Sequence, residues 1–195
     1  MRVVILGLIG AGKGTQALRV ASGRGIVHIS TGDMFRAQAA RGTELGLRAR
    51  AHMERGELVP DEVTIGMLLD RISEPDAEAG FILDGFPRTA AQAEALERAL
   101  AGRGLGVDVV PRIEVPQEVL LARIAKRAQL EGRSDDRPEV VAERLRAQRA
   151  GLEDVARFYE ARRVLVDVDG VGSVDEVADR LAGALERVSP RMETA

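Results

Sequence analysis

Five short runs rich in Val, Ile and Leu punctuate the chain, at Arg2–Leu6, Gly25–Ile29, Phe81–Asp84, Val107–Val115 and Val164–Val168. They limit the possible folds more than any other feature. Each run is nearly continuous in apolar residues instead of alternating, as in strands covered on both faces. Segments with helical spacing separate them. Thr89–Ala101 opens on a candidate N-cap threonine, and Gln117–Leu130 sets Val119, Leu120, Ile124 and Ala128 along one side. Glu139–Arg163 and Val174–Val188 follow. This alternation predicts an α/β fold with a parallel sheet between helical layers. A length of 195 residues suits a single domain, 1–195, with a sizeable core.

Two stretches break the alternation. Ser30–Gly80 is far longer than one crossover helix needs, and Gly42, Gly46, Gly56 and Pro60 divide it into helix-sized pieces. Gln129–Arg137 is polar and charged. It ends in Asp136-Arg-Pro-Glu139, which reads as a helix start with Asp as N-cap and Pro in the first turn.

The strongest chemical signal follows the first run: Gly7-Leu-Ile-Gly10-Ala-Gly12-Lys13-Gly14-Thr15. Glycines let backbone N–H groups close on a phosphate, and the next helix aims its N-terminus at the same anion. Lys13 then reaches the β and γ phosphates, and Thr15 serves phosphate or a magnesium ion. Gly14 stands where the usual pattern puts Ser or Thr. The chain has 28 basic side chains, of which only Lys13 and Lys126 are lysines. A compact ammonium suits the inside of such a loop better than a forked guanidinium.

A net charge of −3 gives no general attraction to nucleic acid. The absence of Cys excludes disulfides and thiolate metal sites. No apolar stretch is long enough to span a membrane, and the opening run leads into no cleavage pattern. The expectation is a cytoplasmic protein that binds neither membrane nor nucleic acid. Asp84 ends an apolar strand ahead of Gly85, placing a carboxylate beside the phosphate loop where it can hold magnesium through water. His28 is read as strand packing and His52 as surface.

Gly-Lys-Gly-Thr-Gln at Gly12–Gln16, Ser30-Thr-Gly-Asp-Met-Phe-Arg36, Gly56-Glu-Leu-Val-Pro60 and Phe81-Ile-Leu-Asp-Gly-Phe-Pro-Arg88 with Gln92 occur in one order. Together they resemble the adenylate kinase family of nucleoside monophosphate kinases, from Met1 to about Leu185. The segment Lys126–Arg144 resembles its short-lid form, which carries no zinc. The resemblance implies a three-layer P-loop fold with a five-stranded parallel sheet and two mobile inserts, 30–59 for AMP and 126–136 as a lid. It implies MgATP, AMP and ADP as ligands, transfer of the terminal phosphoryl group of ATP to AMP, and a monomer.

Site roles carry over from the resemblance by position. Gly10, Ala11, Gly12, Lys13, Gly14, Thr15, Arg123, Arg127 and Gly172 would meet ATP. Arg36 and Arg88 would hold the AMP phosphate. Thr31, Gln92, Gly85, Phe86, Pro87 and the backbone of Glu57, Leu58 and Val59 would line the AMP pocket. Arg133 and Arg144 would close on the transferred group and also reach AMP, and Arg123 would stack on the ATP adenine. The catalytic set is then Lys13, Asp84, Arg88, Arg127, Arg133 and Arg144. Asp135 and Asp136 would pair with lid arginines or cap the helix. Four departures stand out: Ile9 where the family usually has Pro, Val140 where Thr is common, Gly151–Val155 in place of a Thr-x-Pro-Leu stretch, and Ala147 in place of a family tyrosine. Two alternatives stay open, a kinase for another nucleoside monophosphate and a nucleotide-binding regulator with little turnover. A GTP switch is excluded because its guanine motif needs Asn, which this chain lacks.

Overall fold

The computed structural model describes residues 1–131 and 134–187. Strands β1 (Arg2–Ile5), β2 (Val27–Ser30), β3 (Phe81–Asp84), β4 (Val110–Glu114) and β5 (Leu165–Asp169) lie on or beside the five apolar runs. Eight helices accompany them among the described residues: α1 (Lys13–Arg24), α2 (Thr31–Ala40), α3 (Glu44–Glu54), α4 (Asp61–Arg71), α5 (Ala90–Ala101), α6 (Gln117–Glu131), α7 (Pro138–Glu160) and α8 (Val174–Arg187). The long Ser30–Gly80 stretch thus becomes three helices and a short 3-10 turn at Pro75–Ala77.

All strand pairings are parallel. They form a three-stranded ladder in the order β1-β3-β2 and a two-stranded ladder β4-β5. The sequence led us to expect five strands in one ladder. Between the two ladders, β1 and β4 touch through Leu6 N–H to Pro111 O at 2.9 Å and Ile113 N–H to Leu6 O at 2.9 Å, with two isolated bridges. Pro111 accepts from β1 but has no N–H to return, which interrupts the pairing there.

Burial on both faces follows from the pleat. Val3 and Ile5 point into one cluster with Ala17 and Ala21 of α1, Leu120 and Ile124 of α6, and Leu181 and Leu185 of α8. Val4 and Leu6 point the other way, onto Leu68 of α4, Leu96 and Leu100 of α5, and Val155 and Tyr159 of α7. Burying each such side chain contributes roughly 1.5–3 kcal/mol, so both faces fix the strand register. Among the described residues no helix is long and apolar enough to cross a membrane.

Two local expectations are corrected. Gly46 does not break a helix; it lies inside α3, where a Cβ would come within 2.2 Å of the Gln38 backbone. Its lack of a side chain lets α2 and α3 pack closely. Asp136 is not the cap of α7. The N-cap is Arg137, with Pro138 in the first turn, because the Asp136 carboxylate is taken by arginines. The unusual Gly151–Val155 segment is plain helix within α7, and Gly151 lies against the Arg88 carbonyl.

Candidate active site

Parallel strands deliver their following loops to one edge, which is where open α/β sheets bind ligands. After β1 the chain turns through Gly10 and Gly12, both at positive φ, and enters α1 at Lys13. Gly12 at φ 95° is the left-handed N-cap of α1 and has no side chain to bond the first turn. The free N–H groups of that turn face the loop. Lys13 Nζ donates to Leu8 O at 3.0 Å across the loop. Burial pushes the Lys13 ammonium down to about 8, with Arg88, Arg127 and Arg144 adding to the effect and Asp84 opposing it. A Cβ at Gly14 would lie 3.3 Å from Asp84 Oδ2, so a side chain there would press on that carboxylate.

Asp84 ends β3, paired in register with Ile5 of β1 and Ser30 of β2. Burial acts to raise its carboxyl. The His28 ring, Lys13 and Arg88 outweigh that and hold it below the usual carboxylate range. His28 Nε2 lies 3.8 Å from Asp84 Oδ2 and is buried with no hydrogen-bond partner. The next residue, Gly85, gathers two donors on its carbonyl: the Thr31 hydroxyl at 3.0 Å and Arg88 Nε at 2.7 Å. Burial first, then Arg144, pushes the Arg88 guanidinium down to about 10.

Gln92 is held at both ends of its amide. Its Oε1 accepts from Arg88 N–H at 2.8 Å, while Nε2 donates to Asp61 Oδ1 at 2.7 Å. The other Asp61 oxygen accepts from the Thr89 hydroxyl at 2.7 Å, and Thr89 caps α5 by accepting from Gln92 N–H. Glu57 turns its carboxylate to Arg55 and His52, whose contacts push it down to about 2. Only its backbone is left for the cavity.

On the opposite side, Arg127 forks onto Asp136 with contacts of 2.6 and 2.7 Å. Arg144 reaches Asp135 Oδ2 and Asp136 Oδ1, both at 2.9 Å. The two carboxylates are buried. Arg123 donates to Gly170 O at 2.9 Å and Ala11 O at 3.4 Å, tying the phosphate loop to the loop after β5. Arg133 lies outside the described residues.

These groups surround two adjoining cavities. The larger, about 640 Å³, is lined by Gly10–Thr15, Asp84, Phe86, Pro87, Arg123, Arg127 and Gly172 among others. The smaller, about 60 Å³, is lined by Thr31, Glu57, Leu58, Val59 and Gln92. Gly32, Arg36, Gly85, Arg88, Arg144 and Gln148 border both.

The family model described as adenylate kinase matches residues 5–164. An adenylate kinase of Thermobifida fusca (strain YX) is 50% identical over 186 residues, covering 95% of this chain and 98% of that protein. The chain belongs to the adenylate kinase family. One from Caulobacter vibrioides (strain NA1000 / CB15N) is 48% identical over 189 residues, covering 97% of this chain and 99% of that protein. One from Xanthomonas euvesicatoria pv. vesicatoria (strain 85-10) is 50% identical over 187 residues, covering 96% of this chain and all of that protein.

The sequence reading of this family member missed three residues at the site. His28 was read as packing, yet it borders the larger cavity beside Asp84. Strand periodicity carried the signal, since His28 and Ser30 share a face of β2. Asp61 and Gln148 had no signal of their own. Their partners, Gln92 and the Ile9 N–H, are 31 and 139 residues away.

Proposed function

We propose that the protein catalyses reversible phosphoryl transfer, ATP + AMP ⇌ 2 ADP, with ATP in the larger cavity and AMP entering the smaller. The observation that carries this reading is the border that the two cavities share. Arg36, Arg88 and Arg144 border both cavities, so a phosphoryl group passing between them stays among cations. Membership of the family supports the same reaction.

Little covalent work is asked of the side chains, since an AMP phosphate oxygen is itself the nucleophile. The protein contributes alignment and charge neutralisation. In this reading Gly10, Gly12 and Gly14 give backbone N–H groups to the ATP phosphates, Ala11 closes the loop on Leu8 O beside them, and Lys13 keeps one N–H on Leu8 O while giving another to a phosphate oxygen. Arg123, Arg127 and Gly172 border the rest of ATP. Arg36 and Arg88 fork onto the AMP phosphate, while Thr31, Gln92 and the backbone of Glu57–Val59 face the base. Gly85 borders AMP in the smaller cavity, and Phe86 and Pro87 border it from the adjoining larger one. Arg144, with Arg133, closes on the transferred group.

Magnesium fits the donor set present. Asp84 is a carboxylate held below its usual range, at the cavity and beside the first turn of α1. The exposed Thr15 offers a hydroxyl to the same space. Hard oxygen donors of this kind suit the ion, which supplies charge neutralisation on the phosphates when bound.

A volume of about 60 Å³ is too small for a nucleotide. We assign residues 30–59 an outward movement that admits AMP and a return that excludes water, and 126–136 the same part over ATP. One chain lines both cavities, so a monomer suffices. We also read the abutting ladders as a single five-stranded layer in a three-layer fold, interrupted only at Pro111.

The test is ADP formation from ATP with AMP, GMP, CMP or UMP as acceptor, for the natural protein and Lys13→Met. We expect preference for AMP and loss of turnover in the variant. Preference for CMP or UMP would replace the acceptor assignment. ATP binding without ADP formation would make the protein a regulator.

A further inference from the structure

We propose that Gln148 is a positioning residue for the phosphate loop, holding the Leu8–Ile9 peptide so that its carbonyl faces Lys13. The inference rests on the reading of this loop as the cradle for ATP phosphates.

The geometry centres on one peptide group. Ile9 N–H donates to Gln148 Oε1 at 3.1 Å. The carbonyl of the same peptide, Leu8 O, accepts from Lys13 Nζ at 3.0 Å and from Ala11 N–H at 3.2 Å. A peptide is planar, so fixing the direction of its N–H fixes the direction of its C=O. If the plane turned, Leu8 O would leave Lys13 and the loop would lose its inner closure. The Gln148 acceptor also polarises the peptide, which strengthens the carbonyl as an acceptor on the other side.

Nothing local could supply this contact. The loop is glycine-rich, Ile9 is 5% exposed, and its N–H lies away from bulk water. An N–H in such a place needs a partner. Gln148 comes from α7, one turn beyond Arg144 and on the same helical face. The helix that presents Arg144 to the shared border therefore also grips the loop floor. A proline at position 9 would have no N–H to give, and Gln148 would then have nothing to hold. Ile9 creates the donor and Gln148 answers it.

Gln148 also borders the smaller cavity, so direct contact with AMP is the competing explanation. Calorimetric titration of ATP and of AMP separately tells them apart. The proteins are Gln148→Leu, Gln148→Glu, Ile9→Pro, Ile9→Pro with Gln148→Leu, and Lys13→Met. Gln148→Leu should weaken ATP about tenfold, the scale of one buried amide left without a partner, and change AMP by less than about twofold. Gln148→Glu keeps an acceptor at the same reach and should retain ATP affinity within about threefold. On the Ile9→Pro background, Gln148→Leu should add less than about twofold, because the donor is already gone.

Equal losses for ATP and AMP would overturn the proposal, as would a Glu variant no better than Leu, or the same ATP loss on both backgrounds. If Ile9→Pro does not fold, the ATP-against-AMP split and the Leu-against-Glu contrast decide the matter. Lys13→Met keeps the two readings apart. Unchanged ATP affinity in that variant removes the phosphate-loop reading itself. A loss there with none in Gln148→Leu removes only the role of Gln148.

Discussion

Arg127 and Arg144, on the α6–α7 side of the larger cavity, are bound to the buried carboxylates of Asp135 and Asp136, whereas Lys13 and Arg88 on its floor are held only by main-chain carbonyls. Among the described residues neither floor cation forms an ion pair. The titration behaviour follows. Burial works against Arg127, but Asp136 outweighs it and the guanidinium is pushed up. Lys13 is pushed down to about 8 and Arg88 to about 10. Arg144 falls between: burial, together with Arg127, outweighs its two carboxylates and lowers it. The floor thus holds positive charge that a polyphosphate would neutralise, and the nucleotide-free protein bears the cost. The wall holds charge already neutralised, and in the proposed reaction it would exchange carboxylate for phosphate when a nucleotide binds.

The largest expected effect is at Lys13. Lys13→Met should lower kcat/KM by about 10³-fold, since positioned charge does most of the catalytic work in phosphoryl transfer. The same change should stabilise the nucleotide-free protein at pH 7 by about 1–3 kcal/mol, because it removes a desolvated, unpaired ammonium. The pH dependence has a definite sign. The folded value, about 8, lies below the 10.5 of the unfolded chain, so between them the unfolded state binds more protons. The natural protein gains stability as pH rises through that window, and the advantage of Met shrinks. Urea denaturation at pH 7 and pH 9.5 measures both. A variant less stable than the natural protein at pH 7 would break the contrast between floor and wall.

That contrast was only half legible in the sequence. The floor could be read because the phosphate loop, Asp84 and Arg88 are local motifs: a strand end, a glycine turn and a helix start fix them within a few residues. The strands were legible for the same reason, since an apolar run buried on both faces leaves little choice. The wall could not be read in this way. Asp136 looks like an N-cap in sequence, because Asp-x-Pro is a favoured helix start. Nine residues separate it from Arg127, so the sequence leaves two readings open, pairing with lid arginines or capping the helix, and only the folding of α6 against α7 decides for the guanidinium. Gly46 was misread for a similar reason: a glycine that permits helix packing looks like one that ends a helix. Pro111 shows the reverse error. Its run was correctly read as strand, but its missing N–H was not weighed against the ladder it would interrupt.

Asp136→Asn tests the wall. Asp136 accepts both arms of Arg127 and one of Arg144 with its side chain fully buried. An amide would turn a donor toward one guanidinium. The expected loss is about 2–4 kcal/mol of stability, at or below the range for breaking a buried pair because Arg127 keeps some solvent. ATP should recover more of that loss than it adds to the natural protein, since the released arginines gain most from phosphate. Thermal unfolding with and without ATP checks this. An equal shift in both proteins would mean that the arginines never leave Asp136 for the nucleotide.

The smallest effect concerns the smaller cavity, where the prearranged group is neutral. A carboxylate at Asp61 can only accept and Arg88 N–H can only donate, so the Gln92 amide has a single orientation between them. One N–H and one lone pair are left for a base edge. If the Oε1 end is the one that meets position 6 of a purine, this fixed orientation suits an amino group there and opposes an oxo group. Asp61→Asn can offer a donor in place of an acceptor, and it frees the amide to turn. Discrimination between AMP and IMP, measured as the ratio of kcat/KM values, should fall about three- to tenfold. Thr89→Val is the control: it removes the hydroxyl contact to Asp61 and the cap of α5 while leaving the Gln92 contact in place. It should cost about 1 kcal/mol of stability and keep the discrimination. If both variants lose discrimination equally, the position of α5 sets the choice of base and the orientation of the amide does not.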